Sequence, residues 1–235
     1  MDKQSLVTQG KPLQIAIDGP VGSGKGTLAV ALAKELNAVH IYTGGMWRAL
    51  TLACLREDVD IHNEEKVLEV FRKSYIDLRI EAGSPLTKIF LNGEDVTDEI
   101  FFPDVSNNTP IVAAHEKVRQ EMAQLQKDIS RNKKGVIEGR DVATHIIPDA
   151  DLKIYLTASV DERANRRYKQ LREKKVDISY DDVRRDVVER DRADSERDYA
   201  PLTISPDSVV VDTSHDTIDD TVDKVKEELK KRNLL

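Results

Sequence analysis

A glycine-rich turn followed by a lysine is the most chemically informative segment of the chain, and it lies within residues 13–34. A short apolar strand precedes the turn, and an apolar-faced helix follows it. Gly19, Gly22 and Gly24 permit positive φ and close backbone approach, so successive N–H groups and the helix N-terminus can converge on an anion. Lys25, which we expect to face solvent, then reaches the β- and γ-phosphates of a nucleotide. The pattern predicts a phosphate-binding loop rather than a turn without a ligand.

The loop departs in one place from the phosphate-loop pattern G-x-x-x-x-G-K-[ST]. Gly26 stands at the hydroxyl position, and Thr27 follows one residue later. Direct ligation of Mg²⁺ by the Thr27 hydroxyl is therefore an open question at this point. Glu138, at the end of a later predicted strand, is the better candidate for holding waters of Mg²⁺, because this ion keeps several waters and takes only one or two carboxylates beside phosphates.

Two further clusters carry weaker signals. Gly139-Arg140-Asp141 follows a predicted parallel strand, and ligands of open α/β sheets bind at the carboxyl ends of strands. Taken alone, this cluster equally fits a turn with a structural salt bridge. At residues 42–48 a strand turns into a helix, and a helix cap at Thr43 with a core tryptophan at Trp47 is the simpler interpretation of that segment.

Arginine is concentrated late in the chain, since nine of the seventeen arginines lie between Arg163 and Arg197. Eleven acidic residues share the stretch from Asp161 to Glu196, so a pair of solvated, mixed-charge helices is one interpretation. The upstream phosphate loop favours another, a lid that is mobile without ligand and ordered by nucleotide. Guanidinium groups bind phosphoryl oxygens bidentately and offset the charge of a transferring group.

Composition excludes several classes of protein. The 235 residues carry a formal net charge of -7 and only 5% aromatic residues, which argues against a surface that neutralises a nucleic-acid backbone. Cys54, the single cysteine, is expected to be a packed core thiol, and the five histidines show no metal-ligand spacing. The first dozen residues are polar and no apolar run approaches a membrane span. We expect a cytoplasmic monomer without membrane or nucleic-acid partners.

Short apolar segments alternate with longer helical patterns, which favours an α/β fold with a parallel sheet flanked by helices. Between about residues 74 and 98 the pattern changes to period two, and Asn92-Gly93 marks a tight turn. We therefore predict a small antiparallel insert there. The strands predicted for the parallel sheet are Leu13–Asp18, Val39–Tyr42, Gly135–Glu138, Leu152–Leu156 and Val209–Val211.

Capping signals predict where several helices begin. Thr109-Pro110 is typical of a cap followed by proline at the first helical position, which predicts a helix from there to about Asn132. Ser159 and Ser179 are further predicted N-caps. A last helix is predicted from about Asp216 to Lys231, acidic at its start and basic at its end, in accord with the helix dipole.

These motifs occur together with a Glu-Arg-Asp segment near the end of the arginine-rich stretch. The set comprises Ile17-Asp18-Gly19-Pro20, Gly24-Lys25-Gly26-Thr27, Thr43-Gly44 with Arg48, residues 75–98, Val118-Arg119, Gly139-Arg140-Asp141, and Glu189-Arg190-Asp191 through Arg197-Asp198-Tyr199-Ala200-Pro201-Leu202. It resembles the bacterial cytidylate kinases, a family of nucleoside monophosphate kinases, over nearly the whole chain. The loop alone indicates only a P-loop NTPase, and the other segments are far more specific.

The resemblance implies a P-loop NTPase core, a monophosphate-binding region enlarged by the small antiparallel sheet, and a helical lid that closes over ATP. In this sequence the core would be residues 12–42, 108–158 and 205–235. The monophosphate-binding region would be 43–107, and the lid with its arginine-rich helices 159–204.

The resemblance also implies roles for charged residues. Lys25 and the loop amides would hold the ATP phosphates, with one group of arginines on the acceptor phosphate and the transferring group and a second group arriving with the lid. The loop residues are Gly19, Pro20, Val21, Gly22, Ser23, Gly24, Lys25, Gly26 and Thr27. The first group of arginines is Arg48, Arg140, Arg190 and Arg197, and the lid arginines are Arg163 and Arg167.

For the acceptor nucleotide, Thr43 stands where the family usually has a serine, and Asp194 falls where a carboxylate binds the ribose hydroxyls. Arg119 and Asp141 fall where the family reads the base. One position departs from the pattern. The family has a serine near the cytosine where this chain has Pro110, so one base contact is lost or displaced.

The implied reaction is ATP + CMP ⇌ ADP + CDP with Mg²⁺, a step of pyrimidine nucleotide metabolism, and dCMP is a second expected acceptor. Two alternatives stay open at this point. One is a P-loop kinase that acts on UMP, AMP, shikimate or dephospho-coenzyme A. The other is a binding protein gated by ATP or GTP, although the guanine-reading motif Asn/Thr-Lys-x-Asp of regulatory GTPases is absent from the sequence.

Overall fold

Eight β-strands and eight α-helices occur among the residues that the computed structural model describes, which are 11–80, 87–173 and 175–235. The strands are β1 (Gln14–Asp18), β2 (Val39–Tyr42), β3 (Ile76–Ile80), β4 (Thr87–Leu91), β5 (Glu94–Asp95), β6 (Gly135–Gly139), β7 (Leu152–Thr157) and β8 (Val209–Asp212). The helices are α1 (Lys25–Leu36), α2 (Thr43–Arg56), α3 (Glu64–Lys73), α4 (Pro103–Val112), α5 (Glu116–Ser130), α6 (Val160–Glu173), α7 (Tyr180–Glu196) and α8 (Ile218–Lys231).

Five strands form one parallel sheet in the order β2-β6-β1-β7-β8. All residues of β1 are buried, and Ile15 is paired with Val136 of β6 and Leu152 of β7. Strands buried on both faces, such as β1 and β6, are continuous apolar runs, which is why the sequence predicts them closely. The predicted α/β fold is confirmed. Because the strands are parallel, the segments that follow β1, β2 and β6 meet at one edge of the sheet.

Strands β3, β4 and β5 form a separate antiparallel sheet, which confirms the predicted insert. Asn92 and Gly93 between β4 and β5 have φ of 52° and 88°, the left-handed conformation that a tight hairpin turn requires. Residues 81–86 of the predicted insert lie outside the described residues. The insert is tied to the main sheet where the Thr87 hydroxyl donates a hydrogen bond to the carbonyl of His40 in β2.

The single helix predicted from Thr109 to Asn132 is wrong, because the structure has α4 and α5 there, with His115 as the N-cap of α5. Pro103 occupies the first turn of α4, and Pro110 lies inside that helix. A proline in the first turn gives up no hydrogen bond, so Thr-Pro resembles a helix start. At its actual position, Pro110 removes the bond that an N–H would make to the carbonyl of Ser106.

The other predicted helix starts agree better with the structure. The Ser159 and Ser179 hydroxyls accept hydrogen bonds from backbone N–H groups in the first turns of α6 and α7. Thr217 caps α8 through a reciprocal capping box with Asp220, so α8 begins slightly later than predicted. The amphipathic helix α3 has no counterpart among the predictions.

Apolar layers cover both faces of the parallel sheet. Ile15 and Ile17 of β1 pack in a cluster with residues of α1 and α8, whereas Ala16 between them belongs to a cluster on the opposite face. A third cluster joins α2, α3, α4, α5 and the insert, and it includes the fully buried Cys54, as predicted for a core thiol. Within the described ranges, no helix is long and apolar enough to cross a membrane.

Candidate active site

The turn between β1 and α1 has the backbone of a phosphate-binding loop. Gly22 and Gly24 have φ of 75° and 95°, which favours glycine at both positions. A Cβ on Gly19 would lie 2.0 Å from the carbonyl oxygen of Leu156, so only glycine fits against β7. The loop ends at Lys25, where α1 begins and its first N–H groups have no partner within the helix. The predicted anion cradle is therefore present in the backbone.

The side chain of Lys25 is buried, with 6% exposure, so the prediction that it faces solvent is wrong. Its ammonium group donates to the carbonyl oxygen of Pro20 at 2.7 Å and lies 3.4 Å from the Ser23 hydroxyl. Burial, followed by the positive charge of Arg140, lowers the pKa of Lys25 to about 7. The sequence cannot reveal this burial, because it depends on charged groups far away in the chain.

Glu138, at the carboxyl end of β6, lies directly beside the loop. Its Oε1 is 3.1 Å from Nε2 of His40, and both side chains are buried. The same oxygen lies 3.1 Å from the position of a Cβ on Gly26. Thr27, by contrast, is exposed on α1. A carboxylate thus occupies the region where the usual loop has a hydroxyl residue, and His40, which the sequence does not single out, holds it.

Asp18 belongs to the Ile17-Asp18-Gly19-Pro20 segment, but the sequence analysis gives it no role. Its buried carboxylate accepts hydrogen bonds from the N–H groups of Val142 at 2.9 Å and Ala143 at 2.7 Å. Val142 and Ala143 are the first two residues of a π-helical turn, Val142–Ile146, which immediately follows the Gly139-Arg140-Asp141 segment. Burial raises the pKa of Asp18 to about 6. Asp18 therefore fixes the turn that immediately follows two predicted site residues, Arg140 and Asp141.

Four arginines from different elements approach one another beside Lys25. Arg140 donates to the Asp194 carboxylate at 2.7 Å, and Arg48 donates to the Ser106 hydroxyl, also at 2.7 Å. Within the described residues, Arg167 and Arg190 make no hydrogen bond or ion pair. Burial, then the charges of Arg140 and Arg48, lower the pKa of Arg190 to about 10.

Burial and the charge of Arg48 also lower the pKa of Arg167. Arg48 is buried and Arg140, Arg167 and Arg190 are half-buried, so this concentration of positive charge would suit a multiply charged anion. This set, defined as Arg48, Arg140, Arg167 and Arg190, is called the arginine cluster below.

A buried ion pair joins α5 to the segment that follows β6. Arg119 of α5 donates to the Asp141 carboxylate at 2.6 Å, and Arg119 is only 3% exposed. Its guanidinium group also lies over the ring of Trp47, 5.1 Å from the ring centroid. Arg197 lies 3.7 Å from carboxylate oxygens of both Asp141 and Asp194. Residues far apart in the sequence thus meet in one cluster of charged side chains.

The two predicted lid arginines point to different parts of the site. Arg163 is buried against the loop and donates to the Val21 carbonyl at 3.1 Å and to the Asp191 carboxylate at 2.5 Å. Arg167 lies near Arg48 in the arginine cluster instead. A further arginine that the motifs do not single out, Arg166, donates to the Ser23 carbonyl at 3.4 Å. Helix α6 therefore contacts the loop directly.

The comparisons with known proteins decide the family. A family profile described as cytidylate kinase matches residues 15–231. The chain belongs to the cytidylate kinase family. The cytidylate kinase of Bacillus cereus (strain G9842) is 42% identical over 215 residues, which covers 92% of this chain and 95% of that protein.

The cytidylate kinase of Shouchella clausii (strain KSM-K16) is 39% identical over 223 residues, which covers 95% of this chain and 98% of that protein. A solved structure of an uncharacterised protein from Eubacterium ventriosum ATCC 27560 is 13% identical and aligns with a TM-score of 0.49. That alignment covers 93% of this chain and 98% of that chain.

Two threonine hydroxyls at or beside positions of the expected cytidylate kinase pattern donate hydrogen bonds to backbone carbonyls. The buried Thr43 hydroxyl donates to the Glu138 carbonyl at 2.7 Å, which ties α2 to β6. Thr109 precedes Pro110 and donates its hydroxyl proton to the Val105 carbonyl at 2.6 Å. Thr109 therefore does not offer that proton in place of the serine that the cytidylate kinase pattern has at position 110.

Proposed function

We propose that the chain transfers the γ-phosphoryl group of ATP to CMP, and also to dCMP, with release of ADP and CDP or dCDP. The observation that carries this proposal is a connected set of charged groups, which runs from Lys25 of the phosphate loop through Arg140 of the arginine cluster, Asp194 and Arg197 to the buried Arg119–Asp141 pair. A triphosphate, a phosphate acceptor and a base with both donors and acceptors match these three regions in order.

The acceptor is itself a phosphate, so the reaction needs no general base. An oxygen of the CMP phosphate forms a bond to the γ-phosphorus, and the bond from that phosphorus to the bridging oxygen breaks, leaving the electron pair on ADP. Catalysis is then alignment and stabilisation of charge. Lys25 and the backbone N–H groups of the loop hold the β- and γ-phosphates of ATP.

The arginine cluster and Arg197 act on the acceptor side. Arg48, Arg140, Arg190 and Arg197 hold the CMP phosphate and the transferring group. Arg190 is suited to this role because it is half-buried and makes no hydrogen bond or ion pair among the described residues, so a phosphate would offset the repulsion from Arg140 and Arg48. Arg167 lies close enough to Arg48 to join them, whereas Arg163 stays beside the loop and the ATP phosphates.

The residues beside the loop fit Mg²⁺. Glu138 offers a buried carboxylate whose Oε2 has no hydrogen bond within the described residues, and no group of three or more His, Cys, Asp or Glu suited to a metal occurs there. Mg²⁺ bound largely by waters and phosphates needs only such a single carboxylate. Glu138 would hold it through water, with Thr27 as a less favourable candidate because it is exposed. The ion supplies Lewis-acid stabilisation of phosphoryl charge.

The Arg119–Asp141 pair reads the base. The Asp141 carboxylate accepts from the N4 amino group of cytosine, and Arg119 donates to its acceptors, N3 or O2. Uracil presents O4 to the carboxylate, acceptor against acceptor, which disfavours UMP. Asp194 contacts the ribose, and Thr43 contributes its hydroxyl near the acceptor nucleotide.

We further propose that residues 159–204 form a lid that closes over ATP. The core would comprise residues 12–42, 108–158 and 205–235, and residues 43–107 would bind the monophosphate. Closure excludes water and limits hydrolysis of ATP without transfer. The contact of Arg163 in α6 with Val21 and Gly22 of the phosphate loop supports this division, because a lid over ATP needs residues beside that loop.

The direct test is phosphoryl transfer from Mg·ATP, followed through ADP formation, to a panel of CMP, dCMP, UMP, AMP, shikimate and dephospho-coenzyme A. We expect CMP and dCMP to have the highest kcat/KM. A preference for any other acceptor would replace the proposal with that substrate. ATP binding without transfer to any acceptor would instead favour the nucleotide-gated binding protein, which membership in the cytidylate kinase family does not favour.

A further inference from the structure

One carboxylate in the lid joins three elements around the phosphate loop. Asp191 of α7 accepts a hydrogen bond from the backbone N–H of Val21 in the loop at 3.2 Å. Its second oxygen accepts from Nη1 of Arg163 in α6 at 2.5 Å. The same Arg163 nitrogen donates to the Val21 carbonyl at 3.1 Å. Asp191 and Arg163 therefore hydrogen-bond to both backbone polar groups of one loop residue.

The side chains of Arg163 and Asp191 are largely shielded from solvent. The Arg163 side chain is 5% exposed and the Asp191 side chain 21% exposed. Arg163 also donates through Nε to the Ala158 carbonyl at 2.9 Å, which fixes its orientation. A Cβ on Gly22 would lie 2.9 Å from the Arg163 carbonyl oxygen, so α6 and the loop are already as close as backbones allow.

The residue immediately before Asp191 serves the other half of the site. Arg190 contributes to the arginine cluster, and the charges of Arg140 and Arg48 act on it. Successive residues on a helix point about 100° apart, so α7 presents Asp191 to the donor loop and Arg190 to the acceptor side. A displacement of α7 relative to the loop therefore moves both contacts together.

We propose that Asp191 is a positioning residue that couples the ATP site to the acceptor site, by fixing α7 to the phosphate loop so that Arg190 is in place when ATP is bound. This inference rests on the proposed function, since it concerns ATP and CMP. It adds a role that neither the phosphate-loop motif nor the arginines provide, because both oxygens of Asp191 accept hydrogen bonds from the protein itself.

The alternative is an ordinary structural ion pair. Loss of the Asp191 carboxylate leaves the buried guanidinium of Arg163 without a counter-charge, which destabilises the docked arrangement whatever its role in catalysis. Stability alone therefore does not separate the two interpretations. Coupling between the two ligands does, because only a positioning role makes the affinity for CMP depend on ATP through Asp191.

The experiment measures the Kd of CMP by calorimetry with and without a saturating non-hydrolysable ATP analogue and Mg²⁺. In the wild type we expect the analogue to tighten CMP binding about tenfold, within the usual range of coupling. Asp191→Ala should reduce this ratio to about one. Asp191→Asn, which keeps an acceptor for the Val21 N–H but loses the charge, should give an intermediate ratio.

Asp161→Asn is the matched control. Asp161 pairs with Arg184 at 2.7 Å, an exposed ion pair that also joins α6 and α7 but does not touch the loop. In Asp161→Asn the ratio of the CMP Kd values without and with the ATP analogue should equal that of the wild type. If Asp191→Ala does not fold, the double variant Arg163→Met with Asp191→Leu removes both charges together. Because Arg163 is also proposed to contact the ATP phosphates, this variant is measured at an analogue concentration that saturates it, and it too should lose the coupling.

An unchanged ratio in the Asp191→Ala or the double variant, or no coupling in the wild type, would overturn the inference while CMP binding still supports the proposed function. Loss of coupling in Asp161→Asn would also overturn it, because general packing of α6 on α7 would then be sufficient. A wild-type protein that binds no CMP at all would overturn the proposed function first, and this inference with it.

Discussion

The carboxylate of Glu138 occupies the space that a side chain at Gly26 would need, with Oε1 only 3.1 Å from the position of a Cβ there. This relationship explains why the phosphate loop has glycine where the common pattern has a hydroxyl residue. Glu138 cannot retreat easily, because His40 lies 3.1 Å from the same oxygen in a buried environment. The missing hydroxyl and the carboxylate on β6 are thus two parts of one arrangement.

Gly26→Ala tests this arrangement. The added methyl group should displace the Glu138 carboxylate by a few tenths of an ångström and lower kcat/KM by roughly tenfold or more, since small misplacements in a site are costly. The Mg²⁺ concentration needed for half-maximal activity should rise. Thermal stability should not fall in proportion, because alanine is the better helix former in α1. Unchanged Mg²⁺ dependence would mean that Glu138 does not serve the metal.

Lys25→Met separates the charge of the lysine from its packing. Transfer should fall by roughly 10² or more in kcat/KM, about 3 kcal/mol, which is typical for loss of a principal charge-stabilising group. The fold should persist and Tm should rise, because the buried ammonium group is replaced by an apolar side chain of similar length. Near-normal activity would contradict the role of the phosphate loop.

The gain in Tm that we expect for Lys25→Met over the wild type should depend on pH. The pKa of Lys25 is lowered from 10.5 to about 7 in the folded protein. Below pH 7 both folded and unfolded states carry the proton, so the full cost of the buried charge is present. Between pH 7 and 10.5 the folded state releases the proton that the unfolded state retains, and stability rises with pH. The Tm difference between Lys25→Met and wild type should therefore be largest near pH 7 and shrink towards pH 10.5.

The sequence predicts those parts of the fold that are determined locally. The parallel strands are apolar runs, the phosphate loop needs glycines at fixed spacing, and Asn92-Gly93 is sufficient to mark a hairpin. The exception is the helix predicted from Thr109-Pro110, because a threonine followed by a proline is a typical sequence signal for the beginning of a helix. Packing of α4 instead keeps Pro110 inside a helix at the loss of one hydrogen bond.

The site is less predictable, because its geometry depends on contacts between distant segments. The acidic and basic residues of the Gly-Arg-Asp and Glu-Arg-Asp segments are visible in the sequence. Neither the burial of Lys25 nor the hydrogen bond between Asp191 and Val21 is visible, since Val21 and Asp191 meet only when α7 packs beside the loop. The His40–Glu138 pair likewise exists only because β2 and β6 are neighbours.

Nucleotide should protect the lid from trypsin. Helices α6 and α7 carry exposed arginines, among them Arg172, Arg184 and Arg192, which are potential cleavage sites. Phosphates would give Arg167 and Arg190 the close ion pairs that they do not make among the described residues, so ATP together with CMP should order residues 159–204. Cleavage there should slow markedly with both nucleotides, or with a bisubstrate analogue, as followed by mass spectrometry. Equal cleavage rates with and without nucleotide would favour a pair of permanently solvated helices.

Asp141→Asn should weaken selection of the base. The amide can donate to O4 of uracil, whereas the carboxylate only accepts, so CMP activity should fall and the CMP-over-UMP ratio of kcat/KM should narrow. A mismatch of this kind is worth about 1–3 kcal/mol per contact. Tm should fall as well, because Arg119 loses the charge of its 2.6 Å partner. A variant that folds and keeps the full wild-type ratio would show that Asp141 does not read the base.

Pro110→Ser should sharpen base selection. The serine hydroxyl would restore the cytosine contact that the cytidylate kinase pattern has at this position, and Thr109 does not replace it, because its proton is donated to the Val105 carbonyl. The CMP-over-UMP ratio of kcat/KM should increase roughly tenfold, as expected for one added hydrogen bond of discrimination. Serine also restores a backbone N–H for the Ser106 carbonyl, so Tm should rise.

Pro110→Ala separates these two effects. Alanine restores the same helical N–H without a hydroxyl, so its Tm should rise as in Pro110→Ser while its CMP-over-UMP ratio stays at the wild-type value. An equal change of ratio in both variants would trace selectivity to the backbone of α4 rather than to a contact with the base. No change of ratio in Pro110→Ser would show that position 110 does not reach the cytosine in this chain. Selection of the base would then depend on the Arg119–Asp141 pair and its neighbour Arg197, which lies 3.7 Å from the Asp141 carboxylate.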